Sequence, residues 1–167
     1  MERIEEQIKE QFHKAFYDTI AEAVSSEPPN VEYIVRLYTE IRDRLARMVK
    51  PTGRTHQQIH DEFDVDFLKQ LVEHGVFDGN SLLGLVNTTF KWIKALQTPA
   101  RDETTEAAKQ RVLQSGTTMA EVVPVYICEV HGCLDTLEQD VKEFFDNIDH
   151  PVVQEMLRRS VRKWILD

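Results

Sequence analysis

Apolar residues at the start of the chain recur every three or four positions: Ile4, Ile8, Phe12, Ala15, Phe16, Ile20, Ala23 and Val24. That period puts them on one stripe of an amphipathic helix of about 25 residues, which Pro28 and Pro29 end. Such a stripe reads first as core, with docking into a partner's groove as its other use. Asn30 suits the cap of a second helix, in which Val31, Ile34, Val35, Tyr38, Ile41, Leu45 and Met48 keep the same period as far as Pro51 and Gly53. The two are expected to form an antiparallel hairpin.

Thr55 is placed to cap a short helix through Ile59 and Glu62. Asp64 is placed to cap the next, whose Val65, Leu68, Leu71 and Val72 face inward before Gly75 supplies a left-handed exit. A further helix starts at Asn80 or Ser81, with Leu82, Leu85, Val86, Phe90, Ile93 and Leu96 inward, and closes at Pro99. Asp102 suits the cap of a more polar helix through Gln114, in which Ala107, Ala108, Val112 and Leu113 are the expected buried residues.

From Thr118, or from Ala120 if Pro124 marks the first turn, a long apolar pattern runs to about Asn147 through Val122, Tyr126, Ile127, Val130, Leu134, Leu137, Val141 and Phe144. This is expected to be the central helix, near 119–147. His150 and Pro151 open a last helix with Val152, Val153, Met156, Leu157, Val161, Trp164 and Ile165 on one face and Arg158, Arg159, Arg162 and Lys163 on the other. No stretch alternates with period two between turn signals. The expected fold is therefore all-α: one domain over residues 1–167, a bundle of about seven or eight helices with short loops.

Composition narrows the function. The formal net charge is −9, which disfavours sequence-independent binding to nucleic acid, since phosphates need a cationic field. The longest apolar run falls far short of the ~20 residues that span a bilayer, and the acidic, periodic N-terminus is unlike a secretory leader. Cys128 and Cys133 point to different sides of a helix. A cytosolic address follows as the expectation.

Candidate chemistry concentrates in His60-Asp-Glu-Phe-Asp-Val-Asp-Phe-Leu-Lys-Gln-Leu-Val-Glu-His-Gly-Val-Phe-Asp78, which holds two histidines and six carboxylates. A metal-binding or enzymatic bundle using His60, Asp64 and His74, or a nucleophilic Cys128, is one reading. A calcium loop lacks its glycine there, and Cys128, His131 and Cys133 lack a fourth zinc ligand. The other reading assigns structural duties: Asp64 caps, Asp66 favours the positive end of the helix dipole, Lys69 pairs with Glu73, and His74 lies beside the last carbonyls. No motif with a catalytic mechanism is present, so no catalytic residue, metal or cofactor is assigned. Arg158, Arg159, Arg162 and Lys163 are a possible docking site for an acidic protein or membrane surface, set against a solvated helix end.

Five segments occur in the order and spacing of a known family: Phe12-His-Lys-Ala-Phe-Tyr-Asp18, Ser25-Ser-Glu-Pro-Pro-Asn30, Leu37-Tyr-Thr-Glu-Ile-Arg-Asp-Arg-Leu45, Asp64-Val-Asp-Phe-Leu-Lys-Gln-Leu-Val-Glu-His-Gly-Val-Phe-Asp78 and Pro99-Ala-Arg-Asp-Glu103. Over roughly residues 10–145 the chain resembles the N-terminal part of the t-complex protein 11 family domain. The matching positions include Asp64, Asp66, Lys69, Glu73, His74, Gly75, Asp78, Pro99, Arg101 and Asp102. The resemblance implies an α-helical, non-enzymatic protein, associated in animals with sperm function and in fungi with signalling through cyclic AMP and protein kinase A. The expected function is a protein-interaction or adaptor domain in such signalling or at the cytoskeleton.

Overall fold

The computed structural model describes residues 1–147, Pro151 and Glu155. Among the described residues there are seven α-helices and no strand: α1 (Glu2–Ser25), α2 (Val31–Ala46), α3 (Arg54–Glu62), α4 (Val65–Glu73), α5 (Gly79–Leu96), α6 (Asp102–Leu113) and α7 (Met119–Asp146). The all-α expectation holds. The predicted last helix, with Arg158, Arg159, Arg162 and Lys163, lies outside the described residues apart from Pro151 and Glu155.

α7 is central. It packs against α1, α2, α5 and α6 and buries Tyr126, Ile127, Val130, Leu134 and Leu137. Its start follows from a reciprocal cap. Thr118 Oγ1 accepts from the Glu121 N–H at 3.3 Å, which satisfies one of the donors that a helix start leaves without partners, and donates to the Glu121 carboxylate at 2.7 Å. Pro124 lies buried inside the helix, past its first turn.

Most caps agree with the pattern, and three differ. Asp78, two residues before the expected start, caps α5 by accepting from the Ser81 N–H at 2.9 Å. Thr55 lies inside α3, whose first turn is preceded by Gly53. Asp102 is the first residue of α6 and does not cap it. Thr98 caps a 3-10 turn (Pro99–Arg101) that runs straight into that helix, because proline fixes the backbone angle that such a turn needs. On α6 the buried residues are Thr105, Ala108 and Val112, whereas Ala107 and Leu113 are exposed. Steps of three and four keep the first three on one face and leave the other two off it.

The largest departure is on α1. Ile20 and Ala23 are buried, but all of residues 1–16 are exposed, with Ile4 at 62%, Ile8 at 47%, Phe12 at 74% and Phe16 at 38%. The expected single stripe is in fact a spiral. Ile4, Ile8, Phe12, Phe16 and Ile20 are each four residues apart, and each step of four overshoots a 3.6-residue turn by ~40°. The direction that Ile20 takes into the core is shared, two, three and five turns earlier, by His13, Lys9 and Glu2. Those polar residues have no place in a core, so the N-terminal two thirds of the helix stays outside.

α4 ends in a Schellman turn. The Val76 N–H donates to the Leu71 carbonyl at 3.0 Å and the Gly75 N–H to the Val72 carbonyl at 3.1 Å. Gly75 has φ +66, and a Cβ there would meet nothing within 4 Å. Gly75→Ala is therefore expected to cost only the left-handed conformational penalty, about 1–2 kcal/mol. Chemical denaturation measures it, and an unchanged midpoint would show that the turn does not depend on glycine.

Candidate functional site

The signature stretch breaks at Phe63 and Asp64. Phe63 is the C-cap of α3 and is buried, while Asp64 accepts from the Phe67 N–H at 3.0 Å and starts α4. Asp66 lies in the first turn of α4. Lys69 and Glu73 form an exposed pair at 3.9 Å, and His74 is the C-cap. Asp78 is held below the usual carboxylate range by the Ser81 backbone N–H and hydroxyl.

These positions do not converge. The length of α4 separates Asp64 from His74 by roughly 15 Å, and the His60 ring lies against His56, with ring centroids 4.6 Å apart. Burial, then Arg42 and His56, hold the His60 imidazole below its ordinary value. Among the described residues no group of three or more histidine, cysteine or carboxylate side chains is placed to hold a metal ion. Cys128 and Cys133 are half-buried free thiols, and burial pushes both up, the opposite of what activates a nucleophile.

What the signature segment does build is one wall of an apolar cleft. Leu68, Val72, Gly75 and Phe77 line a cavity of about 240 Å³ with Leu37 and Tyr38 of α2, Leu82 and Leu85 of α5, and Val123, Tyr126 and Ile127 of α7. Val24 and Pro29 add the α1 side. The caps and the Schellman turn fix the two ends of α4, and so fix Leu68 and Val72 against the opposite walls. Tyr126 is anchored by Thr89, whose hydroxyl lies 2.7 Å from the tyrosine oxygen and donates to the Leu85 carbonyl at 2.7 Å. Tyr38 is buried against the Phe63 ring, and among the described residues no protein group hydrogen-bonds its hydroxyl. Burial raises both phenols far above their ordinary value, so they remain neutral.

A second cleft, between α6 and α7, is polar, and its charges are already paired. Arg101 makes a two-pronged bond to Asp140, at 2.9 Å on each side, and Arg111 does the same to Glu129 at 2.8 and 3.0 Å. The first pair ties the 3-10 turn at Pro99 to α7, which gives that family position a structural task.

One polar constellation escaped the sequence reading. Arg44 on α2, its side chain only 12% exposed, donates to Asp135 at 2.7 Å and to Glu138 at 3.1 Å, and lies 2.7 Å from His131 Nδ1. A guanidinium cannot accept, so His131 Nδ1 is the acceptor and its proton sits on Nε2. Burial first, and then Arg44, hold this imidazole below its ordinary 6.5. The native protein thus keeps His131 neutral at pH values where the unfolded chain binds a proton. Stability is fully present above about pH 6.5 and falls as the pH drops below it. Thermal unfolding between about pH 7.5 and 5.5 should show this fall, and His131→Gln should make it shallower, the remainder being carried by His60, which is depressed in the same direction. An equal slope in the variant would assign the effect elsewhere.

Comparison with known proteins shows the family. The family model described as T-complex protein 11 matches residues 1–150. The human T-complex protein 11 homolog is 33% identical over 101 residues, a match that covers 60% of this chain and 20% of that relative. The human T-complex protein 11-like X-linked proteins 1 and 2 are each 29% identical over 101 residues, with the same coverage. The match thus spans about a fifth of the length of these relatives. No solved structure matches.

Proposed function

The chain belongs to the T-complex protein 11 family, and from that membership we propose that it is a non-enzymatic protein-docking domain whose apolar cleft receives a hydrophobic anchor from a partner protein. The observation that carries this reading is the position of the signature segment. Its Leu68, Val72, Gly75 and Phe77 line the cleft, and among the described residues no group of three or more histidine, cysteine or carboxylate side chains is placed to hold a metal ion. A cavity of about 240 Å³ is smaller than the ~300–1,000 Å³ of ordinary small-molecule sites. It suits one bulky side chain of the kind that dominates protein interfaces.

The partner is sought where the resemblance points, among cytosolic components of cyclic AMP and protein kinase A signalling or of the cytoskeleton. No helix among the described residues is long and apolar enough to cross a membrane, which is compatible with that search.

Leu85 is half-buried at the cleft wall, so Leu85→Trp fills the cavity at an overpacking cost of about 1–3 kcal/mol. Affinity purification from native cells should recover a protein partner with the wild type, and at least about tenfold less of it with Leu85→Trp. Circular dichroism verifies that the variant is folded. Recovery that survives Leu85→Trp but is lost in Arg158→Glu with Arg159→Glu would move the docking site to the basic cluster, and recovery of no protein partner would end the proposal.

A further inference from the structure

We infer that the apolar cleft takes an aromatic anchor with a polar edge, a tryptophan or tyrosine side chain of the partner, whose N–H or O–H meets the Tyr38 hydroxyl. The inference rests on the docking function assigned to the cleft and specifies what is docked. It starts from an imbalance between the two tyrosines of the lining. Tyr126, on α7, has its oxygen 2.7 Å from the Thr89 hydroxyl. Tyr38, on α2, is only 4% exposed, and no protein group among the described residues hydrogen-bonds its hydroxyl. A buried hydroxyl is costly to leave unpaired.

No fully enclosed side-chain nitrogen or oxygen among the described residues lacks a partner, so the Tyr38 oxygen keeps some accessible surface. Tyr38 lines the cleft, and the ionisable group that acts most strongly on its phenol is Tyr126 of the α7 wall, ahead of Asp64 and Arg42. Together these turn the hydroxyl towards the space that the two tyrosines share.

The rest of the lining selects the occupant, because it carries no charged residue. A charged anchor would lose its water there without gaining a counter-charge. A purely aliphatic anchor would cover the Tyr38 hydroxyl without pairing it. An aromatic ring with an N–H or O–H at its edge meets both conditions, the property that enriches tryptophan and tyrosine at interfaces. Burial keeps the Tyr38 phenol neutral, so its oxygen can accept from an indole and can either accept from or donate to a phenol. Size agrees as well. A cavity of about 150 Å³ holds benzene, so one of about 240 Å³ has room for a phenol or a two-ring indole.

Indole and indene test this on the 167-residue chain, since they share a shape and indene has CH₂ where indole has N–H. Their affinities are measured by NMR titration of the wild type and of Tyr38→Phe, which keeps the ring against Phe63. The ratio of indole to indene affinity should fall by at least about threefold in Tyr38→Phe, and Leu85→Trp should abolish binding of both. Recovery of the protein partner should likewise fall by at least about threefold in Tyr38→Phe. The inference is overturned if neither probe binds, or if the ratio is the same in both proteins. It is also overturned if a partner lost in Leu85→Trp is retained in full by Tyr38→Phe, a result that leaves the docking function standing. Indole binding that depends on Tyr38, with no protein partner recovered, would end both readings and assign the cleft to a free aromatic molecule.

Discussion

Burial of α7 is the constraint on which the other helices depend. Val130 and Leu134 are fully enclosed, and each large apolar side chain so enclosed contributes about 1.5–3 kcal/mol. The cover of α7 as a whole comes from four different helices, α1, α2, α5 and α6. Polar ties then fix how each helix sits on this central one. Arg44 holds α2 through Asp135 and Glu138, Arg101 and Arg111 hold the α6 side through Asp140 and Glu129, and Thr89 on α5 meets Tyr126. These ties set orientation more than they add stability, since exposed ion pairs are individually weak. Arg44 is the exception in burial, and its three partners leave its charge compensated.

How much of this was legible depended on distance along the chain. Caps and helix ends were largely readable, because the determining atoms are three or four residues apart: Asp64 with Phe67, Thr118 with Glu121, Gly75 with the carbonyl of Val72. Where a cap was misplaced, a competing local group took the role, as Asp78 did by reaching Ser81. The Arg44 constellation was not readable, because its partners are about ninety positions away and nothing local marks them. The stripe on α1 was misread for another reason. A spacing of four satisfies the helical period locally, and only its accumulated drift shows that the two ends of the helix face different ways.

The candidate site follows the same division. The acidic and imidazole side chains of residues 60–78, conspicuous in the sequence, act at helix ends and on the surface. The inconspicuous residues between them, Leu68, Val72 and Phe77, form the cleft wall. A segment can therefore characterise a family through residues that set an angle, while the contacts themselves fall to ordinary leucines and valines.

The exposed part of α1 has one more consequence, for its own persistence as a helix. A free peptide of that length is marginal in water, because forming the first turn is costly. Here the turn around Ile20 and Ala23 is already formed and held by the core, so the nucleus exists before the outer residues commit. What remains is propagation towards Met1, one residue at a time, through glutamate, glutamine, lysine and alanine, which are good helix formers. The anchored end thus sets the direction in which the helix grows, and it frays, when it does, only from the free end.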